Sequence, residues 1–136
     1  MQLLRVVREK EFVMVSCLLI DKNANERSRL AGFLSGFGFS CVERVGTKEA
    51  IRFCQESHPE VVLMEASALP ETKEFLRLMS YQNPRKRRPV VILYSDRPDL
   101  SAMGSSILQG ASDFLVTPFD CDLLHFKLEQ AGALPH

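Results

Sequence analysis

An α/β fold built on a single five-stranded parallel sheet is what this sequence predicts, and three observations predict it. Short, nearly continuous apolar runs alternate five times with amphipathic stretches from Ser16 onward. The runs are rich in β-branched residues, as strands covered on both faces require. The connections are too short to hold an inserted domain.

The first run, CLLI at 17–20, leads into a stretch where Leu30, Phe33, Leu34 and Phe37 recur at helical spacing, with Gly36 and Gly38 as a stop. SCVERV at 40–45 is the second strand; Thr47 is the expected N-cap of a helix carrying Ala50, Ile51 and Cys54, which ends before Pro59. VVLM at 61–64 is the third strand, and after Pro70 a third helix is marked by Phe75, Leu76, Leu78 and Met79. VVILY at 90–94 precedes a helix capped by Asp99 or Ser101, which runs through Met103, Ile107 and Leu108 to Gly110. DFLV at 113–116 is the last strand, and Asp120 or Asp122 caps a fifth helix through Leu123, Leu124, Phe126 and Leu128. Together these elements give a flavodoxin-like (βα)5 three-layer sandwich with sheet order 2-1-3-4-5 and right-handed crossovers. Such sheets bind ligands at the carboxyl ends of their strands. The residues in that place are Asp21 and Lys22, Glu65, Ser95 and Asp96, and Thr117 and Pro118.

The 136 residues fit one domain, expected over 16–132 with a short tail at 133–136. Residues 1–15 form an extension of open character: a helix, a strand, a disordered lead, or a start-site artefact ahead of Met14. Its apolar stretches are broken by charges, so it is no signal peptide. No apolar run approaches the roughly 20 residues of a membrane-spanning helix; a soluble, cytoplasmic protein is expected. Lys plus Arg and Asp plus Glu number 17 each, so the global field points to neither nucleic acid nor membrane as partner. The basic run at 85–88, RKRR, reads as a solvated loop. Cys17, Cys41, Cys54 and Cys121 show no CxxC pair and no histidine at ligand spacing. Neither zinc nor a disulfide framework is expected, only reduced thiols.

LLIDKN, VVLMEASALP and GASDFLVTPF, closing the first, third and fifth strands, resemble the receiver domain of two-component response regulators over roughly residues 16–132. The resemblance implies a place in phosphorelay signal transduction and a cis peptide before Pro118. It also implies a set of groups: a phospho-accepting aspartate, an acidic pair for Mg²⁺, a hydroxyl and a lysine for the phosphoryl oxygens, and an aromatic reporter. In this chain Glu65 stands at the acceptor position, Asp21 and Lys22 at the acidic pair, Thr117 at the lysine and Phe114 at the aromatic switch. The hydroxyl position is taken as Ser95 from the local SDR turn, although counting from Pro89 puts Tyr94 in register.

An ammonium at Lys22 disfavours Mg²⁺, which takes its protein ligands chiefly from carboxylates, so no cofactor is expected. Phosphoryl transfer is mostly positioning and electrostatic stabilisation, and the extra methylene of Glu65 displaces its oxygen on the ~1 Å scale, a misplacement that can cost about 10²-fold. The expectation is therefore a non-enzymatic pseudo-receiver, in which a Lys22–Glu65 ion pair joined by Ser95 or Thr117 replaces metal and phosphate. With the chain ending at His136, a stand-alone domain is expected. Its partner would be a histidine kinase, a phosphotransfer protein or another regulator. The resemblance implies two contact faces. One spans the fourth helix, fifth strand and fifth helix, where a homodimer is an option; the other is the first helix, with Glu26, Arg27 and Arg29 exposed beside Leu30 and Phe33. One alternative is a receiver phosphorylated at Glu65, Asp96 or Ser67 with a non-standard metal site. A small flavodoxin-like enzyme or nucleotide binder is less favoured: DKNANERSR, after the first strand, has no Gly-rich phosphate cradle, and no Ser-His-Asp or Cys-His set is visible.

Overall fold

Five strands, β1 (Ser16–Ile20), β2 (Ser40–Arg44), β3 (Val61–Glu65), β4 (Val90–Ser95) and β5 (Asp113–Val116), pair in parallel in the order β2-β1-β3-β4-β5. They alternate with helices α1 (Ala24–Gly36), α2 (Thr47–Ser57), α3 (Leu69–Ser80), α4 (Leu100–Leu108) and α5 (Cys121–Gln130). The structure is a computed structural model that describes residues 15–80, 88–97 and 99–135. The extension at 1–14 and Arg85 to Arg87 of the basic run lie outside the described residues; Arg88 is exposed. Among the described residues, no helix is long and apolar enough to cross a membrane.

The order and the alternation are those the sequence predicts, and burial explains the strand compositions. β1, β3 and β4 are covered on both faces and are almost wholly apolar. β2 lies at an edge and is half exposed, so it admits Glu43 and Arg44. Successive side chains point to opposite faces, which divides the core in two. Leu18, Val62, Met64, Val91 and Leu93 meet α2 and α3 through Ala50, Cys54, Phe75 and Met79. On the other face Cys17, Leu19, Leu63, Ile92 and Tyr94 meet α1 and α5 through Leu30, Leu34, Leu124 and Leu128. Ala133 and Leu134 also pack on this second cluster, so the packed unit runs beyond residue 132.

Helix starts follow capping chemistry. The side chains of Asn23, Asp99 and Asp120 accept backbone N–H groups at the starts of α1, α4 and α5. Thr47 is not a cap: it is the first helical residue of α2, and Gly46 precedes it without a side-chain bond. The stop after α1 uses Gly38, whose φ of +99° favours glycine. Four residues expected inside are outside. Leu108 is 90% exposed, Ile107 and Phe126 are about half exposed, and Leu123 is 39% exposed. α4 is only nine residues long and buries Ser106 rather than its apolar end, while α5 already fills its inner face with Leu124 and Leu128.

Candidate functional site

The carboxyl ends of β1, β3 and β4 converge on two carboxylates, Asp21 and Glu65. Asp21 follows β1 directly and is buried. A buried carboxylate needs hydrogen bonds to both oxygens, and it has them. One oxygen accepts the Asn23 N–H at 2.9 Å. The other accepts the phenol O–H of Tyr94 at 2.6 Å, a short charge-assisted bond.

Tyr94 itself is 1% exposed, and its ring meets Phe119 edge-on at 6.0 Å between centroids. It belongs to β4 and Asp21 to the end of β1, with β3 between them. The bond therefore crosses the carboxyl end of β3, beside Glu65, the register partner of Tyr94. Parallel register partners share a face, so of the two candidates at the end of β4 it is the Tyr94 hydroxyl, not that of Ser95, that reaches Asp21. Ser95 points to the opposite face, and its Oγ accepts the Arg97 N–H in the following turn at 3.1 Å.

Glu65 is half-buried and turns to its own chain. One oxygen accepts the Ser67 N–H and the other the Ser67 hydroxyl, each at 2.8 Å. The expected Lys22–Glu65 ion pair is not formed; the two residues line one cleft without pairing. The physical reason is local: two donors at Ser67 reach Glu65 through a two-residue turn, whereas Lys22 is a long, exposed and well-hydrated ammonium. That cleft carries Asp21, Glu49, Glu65 and Glu71 against Lys22 and Lys48, so carboxylates outnumber ammonium groups.

The remaining positions are placed as follows. Thr117 and Pro118 join through a cis peptide bond, and the Thr117 N–H donates to the Ser95 carbonyl at 2.9 Å. Phe114 is buried in the cluster facing α2 and α3. Arg27 and Arg29, expected to be exposed on α1, are tied down. Arg27 donates to the Asp21 carbonyl and to Glu43; Arg29 donates to Glu26 and the Phe119 carbonyl and stacks over Phe33. Arg27, Arg29, Phe119 and Tyr94 thus brace the Asp21 corner. Counting from Pro89 is the sequence signal that pointed to Tyr94; nothing in the sequence marked its reach to Asp21.

Burial, then the hydrogen bond to Asp21, then the negative charges of Asp21 and Glu65 raise the pKa of the Tyr94 phenol far above its usual value. In an unfolded chain a tyrosine ionises near pH ~10. Above that pH the folded state keeps a proton that the unfolded state has released, so the stability contributed by Tyr94 is full below about pH 10 and declines as pH rises further. Denaturation curves collected from neutral to alkaline pH should show wild type losing stability more steeply than Tyr94→Phe above about pH 10. Parallel curves would contradict the placement of the phenol.

No protein-family model matches the chain. The regulatory protein AtoC of Escherichia coli strain K12 is 28% identical over 116 residues, covering 84% of this chain but 24% of that protein. The chain thus spans about a quarter of the length of its curated relative. Among solved structures, the beryllofluoride-activated NtrC4 receiver domain dimer superposes with a TM-score of 0.77 at 20% identity, over 87% of this chain and 96% of that one. The receiver domain of Ssk1, in co-crystals with the histidine phosphotransfer protein Ypd1 of Saccharomyces cerevisiae, superposes with a TM-score of 0.72 at 15% identity, over 87% and 90%. The high resolution structure of the chemotaxis response regulator CheY4 of Vibrio cholerae gives 0.76 at 18% identity, over 87% and 98%. The fold of this chain is that of response-regulator receiver domains.

Proposed function

We propose that this receiver-fold domain signals by protein contact, with its phosphoryl-acceptor cleft rebuilt as a fixed internal hydrogen-bond network. The Tyr94–Asp21 bond is the observation that carries the reading. A hydroxyl that receives a phosphoryl oxygen in a working receiver must be free to move toward it; this one is buried and already bound to the acidic residue beside it. The same bond argues against Mg²⁺. That ion demands near-octahedral oxygen ligation at about 2.0–2.1 Å; Asp21 and Glu65 are each held in place by two protein donors, and Lys22 sets an ammonium where the resemblance implies a second acid. The donor set does not fit the ion. With neither metal nor lysine at Thr117, little remains to stabilise charge in phosphoryl transfer, and a non-enzymatic role follows.

Output then depends on a protein surface. Leu100, Ile107 and Leu108 on α4, Val116 on β5 and Leu123 and Phe126 on α5 are exposed apolar side chains, the raw material of a contact surface. A second copy of the chain is the occupant we assign to this face; the NtrC4 receiver domain, which shares the fold, is itself a dimer in its beryllofluoride-activated form. A phosphotransfer protein, the kind of partner that the Ssk1 receiver domain is crystallised with, is disfavoured at α1 of this chain because Arg27 and Arg29 are held in the domain's own bonds. A cytoplasmic site of action accompanies these partners.

The reading predicts that amide NMR signals of Asp21, Glu65 and Thr117 stay in place when the protein is titrated with Mg²⁺ and then with beryllofluoride. Saturable shifts at those three amides would overturn it.

A further inference from the structure

Cys17 and Cys41 lie directly opposite each other as register partners on β1 and β2. Both side chains join the cluster beneath α1 and α5, so they share one face of the sheet. Neighbouring strands stand ≈ 4.7–4.9 Å apart, which places this pair inside the Cα separation of about 4.4–6.8 Å that a disulfide spans. Cys17 is fully buried, whereas Cys41 is half-buried and reaches the surface. β2 is an edge strand, paired in the sheet with β1 alone, so it is freer to adjust than the strands inside the sheet.

We propose that Cys17 and Cys41 form a reversible thiol–disulfide site that responds to peroxide. The roles of the two thiols differ. Cys41 is the attacking group: the interaction with the Cys17 thiol lowers its pKa and raises that of Cys17, and the thiolate is the nucleophile. The Cys41 thiolate attacks one peroxide oxygen, the O–O bond breaks, and the sulfur becomes a sulfenic acid as hydroxide or water leaves. The Cys17 thiol then attacks the Cys41 sulfur, its proton and the sulfenic hydroxyl leave as water, and an S–S bond closes. A small dithiol reverses the step by exchange. Both strands run up to the candidate site, β1 into Asp21 and β2 into the Val45–Gly46 turn on the same cleft. The cross-link therefore fastens the edge strand to the strand that carries Asp21.

The full chain should be treated with hydrogen peroxide under native conditions, alkylated, digested without reduction and analysed by mass spectrometry. The expected result is a linked peptide pair joining Cys17 to Cys41 within one chain, with Cys54 and Cys121 alkylated and the link removed by dithiothreitol. Cys17→Ala should leave Cys41 as a sulfenic acid trapped by a 1,3-dione probe, and Cys54→Ser should leave the link intact. Links that involve Cys54 or Cys121, links only between chains, or Cys17 and Cys41 both alkylated after peroxide would each overturn the proposal. So would peroxide oxidation of Cys17 in a Cys41→Ser variant at the wild-type rate.

Discussion

Replacing Tyr94 with alanine is expected to destabilise the domain by about 4 kcal/mol, since truncating a buried aromatic costs about 3–5 kcal/mol through lost burial and residual cavity. The side chain is fully enclosed and touches Phe119 from the core of the sheet. Phenylalanine at the same position keeps the ring and removes only the hydroxyl. It leaves one Asp21 oxygen buried without its donor, at a cost of about 1–3 kcal/mol. Urea unfolding of the three proteins separates the contributions, because domains of this kind have total stabilities of about 5–15 kcal/mol. Equal stability of wild type and Tyr94→Phe would mean that the hydroxyl does not anchor Asp21.

The second large effect concerns chemistry. A variant with Lys22→Asp, Glu65→Asp, Tyr94→Thr and Thr117→Lys restores the group types that the receiver resemblance implies. It is expected to gain Mg²⁺-dependent labelling by acetyl phosphate where the wild type has none. Each change removes a distinct obstacle: the ammonium at the metal position, the displaced acceptor oxygen, the phenol bound to Asp21 and the missing cation. Catalytic groups that work as a unit are strongly non-additive, so Glu65→Asp alone is expected to stay unlabelled. The tyrosine change carries the cavity cost described above, and circular dichroism should show the fourfold variant folded before the labelling is read. A folded fourfold variant with no adduct would show that the obstacles lie elsewhere.

How much of this was legible in the sequence varies with the range of the interaction concerned. Strand order and the placement of Asp21, Glu65, Thr117 and Pro118 at strand ends follow from short apolar runs and their spacing, which are local patterns. The role of Tyr94 rests on which face of β4 it occupies and on a reach across β3 to a residue 73 positions away. A one-residue slip moves a side chain to the other face, and the SDR turn drew attention to Ser95 by that single step. Glu65 was expected to seek a distant lysine; two donors at Ser67 were closer. Cys17 and Cys41 read as dispersed thiols because strand register is invisible until the strands are paired. Leu108 satisfied helical spacing but fell at the end of a short helix, where periodicity no longer decides burial.

The most direct test of the central claim is the intact mass of wild-type protein after incubation with Mg²⁺ and acetyl phosphate, beside a Glu65→Gln control. The account predicts an unchanged mass for both folded proteins. A phosphoryl adduct on wild type that is absent from the control would contradict it and make Glu65 a working acceptor.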